Sequence, residues 1–263
     1  MPTPGDELRL TYVGGPTALI ELGGLRLLTD PSFDPAGAEF RAPAYTLRKT
    51  SGPAVAAHAL GPLDAVLLSH DHHFDNLDAA GRALLPRARE VLTTVAGAGR
   101  LGRPAIGLAP GAERVLHARD GRELRVRATP ARHGPPGGDR GPVIGFALRW
   151  GDAPGAVLYV SGDTVWYEEV AALLRREPVR VAVLFAGAAR IPAVGPAHLT
   201  FTAAELVEAA RACPAALIVP VHLEGWTHFS ESFAEVEAAF AAAGLAERLR
   251  LVRPGRTIAL PFA

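Results

Sequence analysis

The hydrophobic positions of the chain form short continuous runs, and most runs are followed at once by polar residues. Four of them, at 64–68, 124–128, 156–160 and 216–219, lead into histidine or aspartate. A fifth run, at 181–185, ends at Ala186-Gly187 without such a residue. Short continuous apolar runs are typical of strands that are buried on both faces. The pattern therefore predicts buried strands with polar residues at their carboxyl ends.

Other parts of the chain show different periods. Residues 8–29 alternate apolar and polar positions around turns at 14–16 and 23–24, which predicts a meander of antiparallel strands. Residues 33–62 are rich in Pro and Gly and are predicted to form a long loop or flap with at most one helical turn. Helices are predicted over 77–85, 167–176, 202–213 and 232–243.

The predicted helices also have start signals. Thr202 and Glu205 have the spacing of a capping box, and Ser230 and Ser232 are candidate N-caps for the last helix. Strands that alternate with helices predict a layered α/β architecture. Because no Pro- or Ser-rich linker divides the chain, we expect one domain over residues 1–263.

Composition narrows the class of protein. The 263 residues are 49% hydrophobic and 21% charged with a formal net charge of zero, which is typical of a globular protein and not of a disordered one. Without a basic block, neither nucleic acid nor an anionic membrane is an expected partner. No apolar run approaches the ~20 residues that span a bilayer. The composition does not determine the oligomeric state.

The cysteine content and the N-terminus bear on location. The single cysteine, Cys213, has no partner for an intramolecular disulfide and is interpreted as a small buried residue. Residues 1–7 lack the charged and apolar regions of a secretory signal. We therefore expect a cytoplasmic protein.

Candidate metal ligands occur at the ends of four predicted strands. Loops at the carboxyl ends of neighbouring strands line one crevice, so these side chains are expected to converge. Nitrogen and oxygen ligands suit zinc, iron or manganese, and the near absence of cysteine argues against a thiolate site. One histidine after a strand is more often structural, but three within four residues are uncommon. The candidates are His70, His72, His73, Asp75, His133, Asp163 and His222.

Several motifs resemble those of the metallo-β-lactamase superfamily, and in particular hydrolases similar to ascorbate-phosphate lactonases and N-acyl phosphatidylethanolamine phospholipase D. The matching segments are Thr29-Asp30-Pro31, the His-Asp segment at 69–78, Arg132-His133, Gly162-Asp163-Thr164 and Val221-His222. The resemblance covers nearly the whole chain. It implies a four-layer αββα sandwich and a metal-dependent hydrolase.

The His-Asp segment departs from the family pattern, Ser-His-x-His-x-Asp-His-Leu-Asp, by one inserted residue and by Asn76 in the place of the third histidine. If the segment is aligned with the family motif from its start, His70 and His72 match the first two motif histidines. If it is aligned from its end, His73 matches the second motif histidine. We favour His70 and His73 because this alignment keeps the His-x-Asp spacing. His72 stays a candidate. An amide oxygen is a weaker zinc ligand than imidazole, so the second metal site is expected to be altered.

The resemblance also implies roles. The first metal ion would be held by His70, His73 or His72, and His133, and the second by Asp75, His222 and Asn76, with Asp163 bridging. Zinc is the expected metal, in one or two ions, with manganese or iron as alternatives. Asp71 would fill a gap in either site or orient an imidazole. A water activated by the metal would attack the substrate, oriented by Asp75 or Asp163.

His198 lies in a Gly-x-x-His-x-Thr-like segment at 195–200 and is a candidate for leaving-group protonation or oxyanion contact, against a capping or loop-packing role. Other residues receive plainer interpretations. Asp30 is structural, and His58 and His117 lie at the surface. Trp226 with His228 is interpreted as a structural aromatic turn in preference to a pocket wall. Trp166 and Tyr167 either contact the substrate or cover the sheet.

The sequence thus predicts a metal-dependent hydrolase of a small ester, lactone or phosphodiester substrate. The alternative is a binding or sensory protein that keeps the fold with weakened catalysis, as suggested by Asn76 and the inserted residue. A nuclease would need a basic groove or an RNA-binding domain, and neither is evident. Substrate specificity is expected to lie in the loops at 33–62 and 189–198.

Overall fold

The computed structural model describes residues 7–151 and 155–262, and residues 1–6, where no secretory signal is expected, lie outside this range. The described residues form fifteen strands: β1 (Glu7–Gly14), β2 (Thr17–Leu22), β3 (Leu25–Thr29), β4 (Glu39–Arg41), β5 (Thr46–Arg48), β6 (Leu63–Leu67), β7 (Ala88–Thr94), β8 (Ala105–Leu108), β9 (Glu113–His117), β10 (Glu123–Pro130), β11 (Ile144–Trp150), β12 (Val157–Val160), β13 (Val179–Phe185), β14 (Leu217–Val221) and β15 (Thr257–Pro261). They also form five α-helices: α1 (Ala79–Leu84), α2 (Val95–Leu101), α3 (Glu168–Arg176), α4 (Ala203–Ala212) and α5 (Phe233–Ala242).

Two mixed sheets contain most of these strands. The first has the order β15-β1-β2-β3-β6-β7-β8, and the second has the order β14-β13-β12-β11-β10-β9. In the first sheet β3 and β6 run parallel. In the second, β12, β13 and β14 run parallel, and β10 has the same direction because both β10 and β12 are antiparallel to β11. The carboxyl ends of β10, β12 and β14 therefore share one edge, as the sequence predicts.

Successive side chains of a strand point to opposite faces, and this alternation assembles the layers. In β3, Leu27 joins the large core that includes Phe146 of the second sheet. Its neighbour Leu28 joins a separate cluster with Leu84 of α1. The first sheet is thus buried on both faces, against the second sheet and against α1. Leu206 of α4 packs in the large core as well. The result is the expected four-layer αββα sandwich.

Local hydrogen bonds fix where the helices begin. α1 begins at Ala79, two residues later than predicted, because the Asp78 side chain accepts a hydrogen bond from the Gly81 N–H at 2.8 Å and caps the helix. The capping box of α4 is confirmed, with Thr202 and Glu205 bonding to each other's backbone N–H. Ser232 caps α5, whereas Ser230 donates to the carbonyl of Ala188.

The segment 33–62 is more ordered than predicted. The helical turn is present as a 3-10 helix at Ala57–Leu60, but β4 and β5 also pair as a short hairpin. Strands of three residues are too short to give a periodic signal. Lys49 Nζ, just after β5, donates to Asp78 Oδ2 at 2.8 Å, and this ion pair is buried. The buried pair holds the segment against the end of the His-Asp loop.

Candidate metal centre

The His-Asp segment lies in the loop between β6 and α1, and Asp30 anchors it. Asp30 follows β3, which is paired in parallel with β6. Its carboxylate accepts hydrogen bonds from the Ser69 N–H and hydroxyl, both at 2.5 Å, and from Asn76 Nδ2 at 3.0 Å. Asp30 is fully buried, in keeping with the structural role predicted for it.

Three histidines form an imidazole cluster, which we define as His70, His73 and His133. His70 Nε2 lies 2.9 Å from His73 Nδ1, which lies 3.2 Å from His133 Nε2. The other ring nitrogens of His70 and His133 form hydrogen bonds with groups outside the cluster. His70 Nδ1 is 2.8 Å from Ser69 Oγ, and His133 Nδ1 is 2.7 Å from the Leu199 carbonyl oxygen. Such outer contacts fix the orientation of an imidazole and leave its other nitrogen free for a metal.

The next residues along the loop make different contacts. His72 Nε2 lies 2.8 Å from the Arg140 carbonyl, and its ligand atoms come within 4.8 Å of those of His70 and His73. Asp71 forms a two-point ion pair with Arg100. The structure thus brings His73 into the imidazole cluster, keeps His72 at its edge, and directs Asp71 to an arginine.

Asp163, directly after β12, stands beside the imidazole cluster. Its Oδ2 atom lies 3.4 Å from His133 Nε2 and 4.0 Å from His70 Nε2. This oxygen is buried and has no hydrogen-bond partner among the described residues. Its Oδ1 atom accepts from His222 Nδ1 at 2.9 Å. An unpartnered buried carboxylate oxygen is costly, which is an argument for a cation at this point.

Gly162 allows Asp163 to come this close to the His-Asp segment. Its φ is +60°, and a Cβ atom built on it would lie 2.6 Å from Ser69 Cβ and 2.7 Å from the Ile144 carbonyl oxygen. Any side chain would therefore push the loop after β12 away from the histidines. Gly in the Gly-Asp-Thr segment is required by this packing.

A second group of side chains, which we call the carboxylate cluster, consists of Asp75, His222 and His228. Asp75 Oδ2 lies 3.5 Å from His222 Nε2 and 3.0 Å from His228 Nε2. All three side chains are buried. The sequence favoured a structural turn for His228, yet the fold places its ring against Asp75, a predicted ligand. The sequence contains only an indirect indication of this role for His228, namely that Asn76 occupies the place of the third motif histidine.

His222 has an unusual backbone conformation. Its φ is +56°, in the left-handed region that non-glycine residues rarely adopt, and its N–H donates to the Gly15 carbonyl at 2.8 Å. Strain of this kind costs about 1–3 kcal/mol and is retained mostly at functional sites. The conformation sets the imidazole between Asp75 and Asp163.

The two clusters have opposite electrostatic character. Burial, and next the charge of His133, lowers the pKa of His73 to about 3, and burial likewise lowers the pKa of His70 and His133. Burial would lower the pKa of His222 too, but the charge of Asp163 outweighs it and raises that pKa to about 10. The imidazole cluster therefore holds neutral rings with available lone pairs at neutral pH, and His222 a charged one.

Burial would raise the pKa of both carboxylates. In Asp163 the charges of His222 and His133 outweigh burial and hold the pKa below its ordinary value. In Asp75 the hydrogen bonds with His222 and His228 do the same. Both carboxylates are therefore ionised at neutral pH.

The donor atoms fit a divalent cation. His70 Nε2, His73 Nδ1, His133 Nε2 and Asp163 Oδ2 follow one another at separations of 2.9, 3.2, 3.4 and 4.0 Å. Tetrahedral zinc with bonds of about 2.0–2.1 Å places its donors about 3.3 Å apart. The donor types and charges therefore suit a metal ion, and the ligand atoms of His70, His133 and Asp163 all lie within 4.8 Å of one another.

A cavity of about 120 Å³ opens beside both clusters. Its walls include residues of the β4–β5 hairpin and of the loop at 189–199, the two regions expected to set specificity. The polar side of the cavity is formed by His72, His73, Asp75, His133, Arg140 and His228. The apolar walls are formed by Ala42, Tyr45, Leu47, Phe74, Ala189, Ile191 and Leu199. The cavity is therefore small, with a polar side and an apolar side.

The other residues of the sequence analysis lie as follows. His198 Nε2 is 3.0 Å from Glu205 Oε1 of α4, and its side chain is 30% exposed. Tyr167 stacks under the Arg132 guanidinium, and Trp166 packs against the large core. Cys213 is buried, as predicted, and donates to the Ala209 carbonyl.

Three further histidine and tryptophan predictions concern residues outside the clusters. His58 and His117 are exposed, as expected. Trp226 is buried, and its ring centroid lies 5.4 Å from that of Phe40.

The length and hydropathy of a helix decide whether it can span a membrane. Every helix in the described parts of the chain is too short or too polar to cross a bilayer.

Comparison with known proteins agrees with this architecture. The family model for the beta-lactamase superfamily domain matches residues 25–223, which include every predicted metal ligand. The isothiocyanate hydrolase from Delia radicum gut bacteria is similar, with a TM-score of 0.81, 24% identity, and coverage of 95% of this chain and 98% of that chain.

Two further solved structures are similar. A possible metal-dependent hydrolase from Veillonella parvula has a TM-score of 0.80 and 19% identity over 95% of this chain and 98% of its own. A metallo hydrolase from the archaeon Ignicoccus hospitalis has a TM-score of 0.70 and 20% identity over 98% of this chain and 100% of its own.

Proposed function

The chain belongs to the beta-lactamase superfamily, and we propose that it is a hydrolase of a small ester, lactone or phosphodiester that depends on one or two divalent metal ions. One observation carries the proposal. The buried, unpartnered Oδ2 atom of Asp163 faces the nitrogens of the imidazole cluster at the distances given above. Neutral imidazoles gathered around an unpaired anion are the arrangement that a cation stabilises.

These distances support a set of ligands. His70, His73 and His133 would hold the first metal ion, Asp75 and His222 would contribute to the second, and Asp163 would contribute to both. Zinc suits these nitrogen and oxygen donors, and manganese or iron are the alternatives. When bound, such an ion lowers the pKa of a bound water toward 7 and polarises the scissile carbonyl or phosphoryl group.

The protein's own groups orient the reactants. Asp75 and Asp163 are ionised, so each can accept a hydrogen bond from the attacking water and later hold its proton. Asp75 lines the cavity and can reach a water near the substrate. His198, next to the wall residue Leu199, would protonate the leaving group after releasing Glu205. The apolar walls around Leu47 and Leu199 exclude other water.

The cavity supports a small substrate. A volume of about 120 Å³ accommodates a compact acyl, lactone or phosphoryl group and leaves larger substituents near the hairpin. The apolar walls favour a neutral substituent against them, whereas Arg140 and the histidines line the polar side. An isothiocyanate belongs in the substrate panel because a similar structure is that of an isothiocyanate hydrolase.

The test combines metal analysis with turnover. Protein purified without chelators is expected to contain zinc, manganese or iron and to hydrolyse at least one of a lactone, an aryl ester, a phosphodiester and an isothiocyanate. Removal of the metal by a chelator should abolish this activity, and zinc should restore it. Fewer than ~0.3 metal equivalents after supplementation would contradict the proposal, since the nucleophile depends on the ion. Full metal occupancy without turnover would favour the binding or sensory alternative.

A further inference from the structure

The third histidine of the family motif is replaced by Asn76, and the structure gives this side chain another task. Asn76 is fully buried and donates from Nδ2 to the Asp30 carboxylate. Its amide therefore belongs to the hydrogen-bond network that anchors the loop. Its Oδ1 atom has no partner in the described part of the chain, but an amide oxygen is a weaker zinc ligand than an imidazole nitrogen. A metal ion in the carboxylate cluster would therefore need a nitrogen ligand from a residue other than Asn76.

His228 lies where such a nitrogen is needed. Its Nε2 atom is 3.0 Å from Asp75 Oδ2, closer than the Nε2 atom of His222 at 3.5 Å. The side chain is only 6% exposed, and it borders the cavity. Its Nδ1 atom is buried without a hydrogen-bond partner among the described residues. A ring that is buried this deeply and is bonded only to a carboxylate points to a ligand.

The surroundings of His228 hold it in place. Its ring packs against Phe229 with 4.6 Å between centroids. Its carbonyl accepts a hydrogen bond from the Arg190 N–H at 2.8 Å, which ties the loop after β14 to the loop that walls the cavity. The position of Nε2 is thus set by packing and by backbone contacts.

We propose that His228 replaces the missing motif histidine as a nitrogen ligand of the second metal ion, together with Asp75 and His222. A ligand set is defined by positions in space, so a histidine from the loop after β14 can fill the place that the His-Asp segment leaves open. This inference rests on the proposed function, because it assumes that the carboxylate cluster holds a metal ion.

Metal titration of the full chain provides the first test. Apo protein is titrated with zinc in competition with a chromophoric chelator, and His228→Gln is compared with the exposed-site control His117→Gln and with Asn76→Ala. Loss of even an outer partner of a ligand weakens metal binding 10- to 100-fold, so His228→Gln should weaken the second ion by more than about 100-fold. His117→Gln and Asn76→Ala should leave both affinities unchanged.

Cobalt-loaded wild-type protein provides a second test that does not depend on any variant folding. Histidines bound to cobalt(II) give imidazole N–H proton resonances that are strongly shifted by the unpaired electrons. The ligands assigned above without His228 are His70, His73, His133 and His222, and they predict four such signals. His228 as a ligand predicts a fifth, which is absent in His228→Gln.

The outcomes separate the two proposals. Four shifted signals, or a second ion that His228→Gln binds as tightly as wild type, would overturn the role of His228 and leave the hydrolase proposal standing. A wild-type protein that binds only one metal ion would also overturn the role of His228 and leave the hydrolase proposal standing. A wild-type protein that binds no metal would overturn the proposed function itself.

Discussion

The two halves of the candidate metal centre reach a buried polar arrangement in different ways. In the imidazole cluster, neutral rings face one another, and the nearest anion is the unpartnered oxygen of Asp163. In the carboxylate cluster, a charged His222 donates from Nδ1 to Asp163, and its Nε2 atom lies 3.5 Å from Asp75 Oδ2. The protonated His222 supplies a positive charge next to the carboxylates of this cluster. Among the described residues, no charged group supplies one in the imidazole cluster.

This difference indicates how each half depends on metal. In the imidazole cluster, the lone pairs of neutral nitrogens face one another, and a positive ion would stabilise this arrangement. We therefore expect the imidazole cluster to bind the first ion tightly. The carboxylate cluster must give up a proton from His222 before that ring can bind metal, which weakens the apparent affinity for the second ion near neutral pH. We therefore expect sequential loading, with the imidazole cluster filled first.

Replacing Asp163 should have the largest effect, because this residue serves both halves. Asp163→Ala removes the oxygen beside the imidazole cluster and the partner of His222. If each half loses at least the 10- to 100-fold in affinity that outer-shell changes cost, turnover should fall by about 1000-fold or more. Turnover and bound metal are measured together. Asp120→Ala, at an exposed site, is the control, and unchanged turnover in Asp163→Ala would mean that the site is misplaced.

The imidazole cluster can be tested by comparing two adjacent histidines. His73→Ala should weaken the first metal ion by about 100-fold or more, because it removes a central nitrogen. His72→Ala should weaken it by about 10-fold or less, because His73 Nδ1 is the nitrogen that contacts both His70 Nε2 and His133 Nε2. Chelator competition measures both affinities. The reverse order would show that the motif aligns from its start and that His72 is the ligand.

His198 tests whether chemistry extends beyond the two clusters. His198→Gln should lower kcat by about 100-fold or more and leave both metal affinities unchanged, as expected for loss of a proton donor. The exposed His58→Gln is the matched control. A His198→Gln enzyme with wild-type kcat on every hydrolysed substrate would leave His198 with only its contact to Glu205.

Asn76 should have the smallest effect, and on stability instead of metal binding. Asn76→Ala removes one buried hydrogen bond to Asp30, so the free energy of unfolding should fall by about 1 kcal/mol. Urea unfolding of the apo protein measures this change. If Asn76→Ala instead loses the second metal ion with unchanged stability, the amide is a ligand and the two halves differ less than described here.

Local sequence signals predicted the parts of the fold whose residues interact with near neighbours. The meander at 8–29, the capping box of Thr202 and the apolar runs depend on contacts within a strand, a turn or a helix, and all appear in the structure. Strands β7, β8, β9, β11 and β15 gave no such distinct signal. They are recognisable only from the strands with which they pair.

The sequence by itself determined most of the chemical groups of the candidate centre, because histidines and aspartates at strand ends meet at one edge of a layered sheet. Only the tertiary structure decided how they are shared. The contact of His73 with His133 and that of His228 with Asp75 join residues far apart in the chain, and no period or spacing encodes them. Packing of the loops after β6, β10 and β14 sets these distances, so His228 could be placed only when the fold was known.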